Sequence, residues 1–572
     1  MFGKSFQYIL AIFFISTATT LFAQRDTSLT QEVEVVKSYK PTISDAYKIN
    51  DMPVIDEKEQ EKPTFNYSIF SQPIYNTFSV NTLKAATFAS RQDDDHGYGL
   101  VKAGAGNYFT PYGEVFFNSQ NIKNTIFGLH ARHLSSHAKL KLDGGDKVKA
   151  PFSENNAEMF IKHLTRNSIL SVDLNFNRDG FNYYGYPEKS VPQVLKEENH
   201  QINYFGTKQA FTKGAFNINL ENTTADENDF AFDFDFLYHY FGTKTDQREH
   251  YGSFIADVQK PLETGLGLLE AGATFVRASN IYNFSTLDNS SNQQIWLTAK
   301  PAWRIGGDIA NLTLGFNAWF VMDDDSDTKA KLAPRVHVDF APVKELITIF
   351  AGVDGNYRNN HYSKIAYENP FVDPMHDVVN SMEKIHVYGG FDGKFAAKTN
   401  FKIAVDYSII GNEHFYYLYE YAHPTASSII DNDFDVLYDN LDLLKFNLEI
   451  FHASSEKLDL LLTGNYYVYK LDSLEEALNK PNWDAKLSLG YKISEQLTVS
   501  TDLFLTGERK ALLIESTGSQ KRTGPYIPIA QIPDAFMKTY TLKPVIDLNF
   551  NANYKITNKF SVFAQLHNFG FQ

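Results

Sequence analysis

Three histidines, His130, His133 and His137, have the look of a metal cluster when counted along the chain. In an extended strand, residues three apart point to opposite faces, so His130 and His133 cannot share a ligand shell there. The spacing therefore predicts polar side chains on a strand and turn. Two acidic runs, Asp93 to Asp95 with His96 and Asp323 to Asp325 with Asp327, offer oxygen ligands for calcium. Neither carries the glycine-punctuated spacing of a dedicated calcium loop, and solvated charge is the better expectation. The run His414 to Tyr421 concentrates aromatics. Phe415, Tyr416, Tyr417, Tyr419 and Tyr421 are candidate ligand contacts in an external loop, with closure of a barrel mouth or a place in an aromatic girdle as alternatives. No nucleophile elbow, phosphate loop, zinc-protease helix or glycine-rich dinucleotide turn is present, so neither catalysis nor a cofactor is expected.

The elements that would carry these residues are strands. From about Tyr98 to Phe569 the chain alternates apolar and polar residues with period two. Leu170, Val172, Leu174 and Phe176 oppose Ser171, Asp173, Asn175 and Asn177. Ile546, Leu548, Phe550, Ala552 and Tyr554 oppose Asp547, Asn549, Asn551 and Asn553. Phe401, Ile403, Val405 and Tyr407 form another such row. From Phe230 to Tyr240 one face is wholly aromatic, set against Asp233, Asp235 and His239.

Connections fall into two classes. Short ones lie near 109–113, 165–167, 341–344, 396–398, 453–456, 494–495 and 557–558, and long ones near 178–199, 278–292, 358–382, 412–439 and 507–539. Their alternation predicts an all-β, large antiparallel up-and-down transmembrane barrel of about 22 to 24 strands, with tight turns on the periplasmic side. Tyr491 to Val499 and Tyr554 to Val562 match as hairpins with polar turns. Under this rule the last segment, Lys559 to Phe569, runs outward, so a closing strand is expected beyond it. A soluble sheet protein is the rival reading, a secreted glycan binder being its functional form.

Composition agrees with a barrel. The chain of 572 residues carries net charge −15, 15% aromatic residues including 33 Tyr and 47 Phe, and no Cys. Disulfides, thiolate metal sites and cysteine nucleophiles are thereby excluded. An acidic chain without basic runs argues against nucleic acid as a partner. Residues 1–23 read as a signal peptide, with Lys4, an apolar run from Tyr8 to Ile15, and a small residue at Ala23. Residues 24–76 carry four prolines and a charged stretch, and are expected to form an extended periplasmic arm. The barrel is expected over 77–572.

Three segments resemble a known group: Glu32 to Asp45 in the arm, the hairpin Gly106 to Glu114, and Phe560 to Asn568. They are similar to the outer-membrane barrels of Bacteroidota that look like TonB-dependent receptors. That resemblance implies transport or binding of a hydrophilic solute across the outer membrane, with lipid around the barrel. It also implies a periplasmic partner segment at Glu32, Val33, Glu34, Val35 and Val36. The region 24–76 is too short for the folded plug of such receptors, so closure by the arm or by a partner protein is expected. A structural subunit anchoring an envelope complex is the alternative.

Overall fold

The computed structural model describes residues 98–569, apart from 120–121, 142–144, 146, 184–207, 224–228, 284–287, 324–325, 373–377, 421–433, 456 and 516–536. The expected signal peptide, the arm with Glu32 to Val36 and the acidic run Asp93 to His96 lie outside these residues.

The first strands are β1 (Gly99–Gly106), β2 (Thr110–Asn118), β3 (Thr125–Ser136), β4 (Lys139–Lys141), β5 (Lys147–Lys149), β6 (Phe152–Leu164), β7 (Ser168–Asn182) and β8 (Lys208–Asn222). Next come β9 (Ala231–Thr243), β10 (Arg248–Leu262), β11 (Gly265–Asn283), β12 (Asp288–Gly306), β13 (Ala310–Asp323), β14 (Ser326–Val343) and β15 (Ile347–Arg358). A short helix, α1 (Tyr362–Glu368), precedes β16 (Ser381–Ala396), β17 (Thr399–Glu420), β18 (Phe434–Ser455), β19 (Leu458–Leu471), β20 (Trp483–Lys492) and β21 (Leu497–Thr506). The last are β22 (Arg509–Glu515), β23 (Met537–Leu542), β24 (Val545–Lys555) and β25 (Ser561–Leu566).

All but β4 and β5 belong to one 23-stranded sheet. Within it β22 and β23 form a side hairpin, and the remaining 21 strands make a continuous antiparallel meander, β21 pairing directly with β24. The chain is thus an all-β, up-and-down sheet of barrel type. The final strand, β25, runs in the same sense as β1. The Phe563 ring of β25 lies edge-on to Tyr112 of β2, with centroids 6.0 Å apart, and a Cβ at Gly104 of β1 would lie 3.2 Å from that ring. The two ends of the meander therefore stand side by side.

The faces sort as the alternation requires. Leu170, Leu174, Phe176, Phe236, Ile403, Val405, Ile546 and Tyr554 are all exposed, and all lie on the outer face. Rows of bare apolar side chains on strand after strand, as on β7, β9, β17 and β24, are costly in water and favourable in lipid. On the inner face polar groups bond across strands. Asn447 donates to Asn465 at 2.9 Å, and Asn465 donates to Asp484 at 2.9 Å. His386 bridges Asp354 at 2.9 Å and Asp406 at 3.1 Å.

One end of the meander is closed by tight turns with shared chemistry. The amides of Ser168, Leu497 and Phe560 donate to the hydroxyls of Thr165, Ser494 and Thr557, at 2.9, 3.1 and 3.1 Å. Each hydroxyl does the work of a backbone acceptor in a turn, which is why Ser and Thr recur there. The other end carries the long connections. Two corrections to the sequence reading arise at that end. The turn near 109–113 belongs with the long connections, and it spans 107–109, with Tyr108 and Phe109 at positive φ. The segment 278–292 is largely strand, because β11 and β12 run to 19 residues, and the described parts of 412–439 are the ends of β17 and β18, which run to 22.

Candidate functional site

The connection from β15 to β16, residues 359–380, folds inward. Its helix is favoured by the run Lys364, Ile365, Ala366 and stops at Asn369, where Pro370 disfavours a helical conformation in the residue before it. Ile365 and Ala366 are 0% and 1% exposed. They share a cluster with Phe211 of β8, Phe241 of β9, Ala278 of β11, and Tyr416, Val436 and Tyr438 of β17 and β18. Phe241 pairs with Glu249 on the inner face of the meander. Four strands, β11 to β14, separate β10 from β15 along the wall, so a loop rooted at β15 reaches β8 to β10 only by crossing the interior.

Polar contacts fix the loop at both legs. Asn360, 1% exposed, donates to the Val379 carbonyl at 2.9 Å and to Ser381 Oγ at 2.6 Å, tying the outgoing leg to the returning one. Asn380 donates to Gln294 of β12 at 2.8 Å, and the Val379 amide donates to Tyr438 Oη at 3.0 Å. At the root, Arg358 lies 3.1 Å from Glu383 and 3.7 Å from Glu413, and Lys480 lies 2.7 Å from Glu413.

At the tip, His361 Nδ1 lies 2.9 Å from Glu249 Oε1, and Ser363 Oγ lies 2.7 Å from the same oxygen. The Ser363 amide donates to Glu249 Oε2 at 3.1 Å. His239 of β9 stacks on Tyr251 of β10, with planes 7° apart, and points Nε2 at Glu249 Oε1 from 3.4 Å.

The far end of α1 is held by Glu368, whose Oε2 lies 2.9 Å from His414 Nε2. Partial burial pushes the Glu368 carboxyl up, but the bond to His414 and the charges of His414, Lys480 and Lys364 outweigh it and hold it below its ordinary value of 4.5. A carboxyl lowered in the folded state stabilises that state above its unfolded value, and the contribution is lost as pH falls through the folded one. Acidification below about pH 4.5 should therefore loosen this end of the loop. Proteolytic cleavage between Glu368 and Val378 as a function of pH measures it, and Glu368→Gln should flatten the acid limb. An acid limb unchanged in that variant would assign the transition elsewhere.

The aromatic run of the sequence reading falls inside β17 rather than in a loop. A bulge after Ile410 places Asn412 in the left-handed region at φ 56°, a conformation Asn tolerates, and resets the register of the tip against β18. Phe415, 0% exposed, packs with Ile410, Leu437, Leu441, Leu478, Leu512 and Ile514. Tyr417 lies against that cluster, and Tyr416 faces α1. Tyr419 pairs with Ile514 where β22 runs parallel to β17, and Tyr421 lies outside the described residues. Both faces of the hairpin tip are thus covered, one by α1 and the other by the segment after β19 together with β22.

His130 and His133 part as strand geometry requires. The first lies 3.1 Å from Glu114 Oε1 and stacks on Phe116, and the second lies 2.7 Å from Asn155 Oδ1. His137 meets the Phe109 ring, with centroids 5.6 Å apart. Of the acidic run, Asp323 ends β13 and Asp327 lies in β14, and Asp324 and Asp325 fall outside the described residues.

Toward the short-turn end the inner face carries a row of acids directly opposite one another: Glu221 on β8, Asp233 on β9, Asp257 on β10 and Glu270 on β11, ended by Lys300 on β12. Lys300 lies 2.6 Å from Glu270. Like charges facing each other across strands are unfavourable unless water or a cation screens them. The sequence reading missed this row, since each acid belongs to a different strand.

No protein-family model matches the chain, and no curated protein matches it. Solved structures do. The pyoverdine outer-membrane receptor FpvA of Pseudomonas aeruginosa superposes with a TM-score of 0.57 at 12% identity, over 82% of this chain and 74% of that one. The siderophore receptor PiuA of Acinetobacter baumannii gives 0.52 at 10% identity, over 82% and 76%. The copper transporter OprC gives 0.52 at 10% identity, over 82% and 73%. The chain therefore has the fold of outer-membrane β-barrel receptors.

Proposed function

We propose that this protein is an outer-membrane barrel that binds and admits a small hydrophilic solute, and that its own β15–β16 loop closes the mouth. The observation that carries this reading is the division of the interior. The inner face is polar and acidic toward the short-turn end, and at the other the β15–β16 loop with α1 packs inside it against β8, β9, β11, β17 and β18. The receptors that share the fold include ones for siderophores and a copper transporter, which supports passage of a small solute. The acidic row Glu221, Asp233, Asp257 and Glu270 supports a preference for cationic over anionic solutes. Catalysis has no part in this reading. Lipid is the expected surrounding of the outer face, and the arm at 24–76, with Glu32 to Val36, is proposed to engage a periplasmic protein.

The test is conductance in planar bilayers for the full-length protein, a form lacking the arm, and a form with 362–379 replaced by a short glycine-serine linker. The linker form should conduct, with a reversal potential in a salt gradient showing cation preference. Joint replacement of Asp233, Asp257 and Glu270 by their amides should reduce that preference several-fold. A tight seal in all three forms would remove the channel reading.

The solid packing around Ile365 favours a second reading, in which the barrel stays shut and anchors an envelope complex through its arm. Stoichiometric partners that co-purify and are lost on deleting 24–76, without a solute-dependent growth defect, would support it.

A further inference from the structure

We propose that His239, Glu249 and His361 form a site for a transition-metal dication, zinc by preference, that pins the β15–β16 loop to the barrel wall. The three offer Nε2, Oε1 and Nδ1 within 4.8 Å of one another, and the first two residues are 3% and 0% exposed. Ser363 Oγ completes the group, 2.7 Å from Glu249 Oε1, 3.0 Å from His361 Nδ1 and 3.4 Å from His239 Nε2.

Four donor atoms around a zinc ion with bonds near 2.0–2.1 Å stand roughly 3.3 Å apart at the corners of a tetrahedron. Five of the six separations, at 2.7 to 3.4 Å, bracket that edge, and the two imidazole nitrogens lie within 4.8 Å of each other. As a purely hydrogen-bonded cluster the group is crowded: two imidazoles and a hydroxyl converge on the single oxygen Oε1, which has two lone pairs. A dication accepts the same four lone pairs at once. Two neutral imidazoles, one carboxylate and one oxygen suit zinc, with cobalt, nickel and copper as its competitors by ligand type.

The surroundings are those of a built site. Tyr251 stacks on His239 and lies 5.1 Å from the His361 ring, fixing both orientations, and the Ser363 amide holds Glu249 Oε2 so that Oε1 is presented to the cluster. Lys213 of β8 also feels the Glu249 charge and is the cation the metal must coexist with. Because two ligands come from the wall and two from the loop, bound metal adds a cross-link between elements 112 residues apart.

The experiment uses the untagged full-length protein in detergent, stripped with a chelator and titrated with cobalt chloride and then zinc chloride. One equivalent of cobalt should give the intense visible absorption of a tetrahedral nitrogen and oxygen site, and zinc should bleach it. His239→Gln and His361→Gln should each weaken zinc binding, read by competition with a chromophoric chelator, by about 100-fold or more, since loss of an outer partner alone costs 10–100-fold. His452→Gln, at the opposite end of the barrel, should bind as the parent does. Heat-modifiable gel mobility verifies that each variant is folded. Absence of the cobalt spectrum in the parent overturns the proposal even if the variants fail to fold, and zinc affinity unchanged in His239→Gln or His361→Gln overturns it equally. The cobalt spectrum reports the site whether or not the barrel conducts, so failure of the transport reading leaves it standing.

Discussion

Ile365→Asp is expected to turn a sealed barrel into a conducting one. Ile365 of α1 is fully buried in one cluster with Phe241 and Tyr416. Losing its contacts costs on the order of 2–5 kcal/mol for an Ile reduced to Ala size, and an unpaired carboxylate in that pocket adds a desolvation penalty of several kcal/mol. Even about 4 kcal/mol directed at the docked loop changes its open-to-closed ratio about a thousandfold. Because β15 and β16 remain paired to their neighbours, the damage is confined to the loop. Single-channel recording should show long openings in the variant against rare ones in the parent, with increased uptake of a large hydrophilic antibiotic by cells. Ile365→Val, costing about 0.5–1.5 kcal/mol, should stay nearly sealed. A correctly folded Ile365→Asp barrel that remains as tight as the parent would show that α1 does not close the path.

The second large effect separates the two faces of one strand. Leu174 lies near the middle of β7 on the outer face, and Asn175 follows it on the inner. Leu174→Arg should destabilise the lipid-embedded barrel by about 2–4 kcal/mol, whereas Asn175→Arg should leave stability nearly unchanged and lower cation preference. Urea titration in lipid vesicles, followed by tryptophan fluorescence, distinguishes them. Equal costs at the two positions, or a larger cost at 175, would reverse the assignment of lipid and lumen.

The wall was legible in the sequence because its physics is local. A strand between lipid and water must alternate, and β7, β9, β17 and β24 do so with aliphatic or aromatic residues against mostly polar ones, Asp and Asn foremost. Turn chemistry at Thr165, Ser494 and Thr557 is equally local. The docking of the β15–β16 loop was not legible, because it depends on contacts such as His361 to Glu249 that no spacing rule connects. Two signals were nevertheless present. Phe241 follows Tyr240 and so puts an aromatic on a face that should be polar, and Tyr362 to Glu368 reads as a helical turn stopped before Pro370. The alternation of Phe415 and Tyr417 already belonged to a strand, but the bulge at Asn412 shifts their face, and a bulge is invisible to a period-two count.

The length of β17 and β18 sets where the outside world meets this molecule. At about 3.3 Å per residue, 22 residues inclined at the usual 35–45° rise about 55 Å along the membrane normal, against a lipid-facing band about 25 Å tall. Roughly half of that height is a turret standing clear of the headgroups, with α1 packed inside it. An antibody or phage fibre far too bulky to approach the lipid surface is expected to meet that turret first, so the outermost parts of β17 and β18 are its natural landing place.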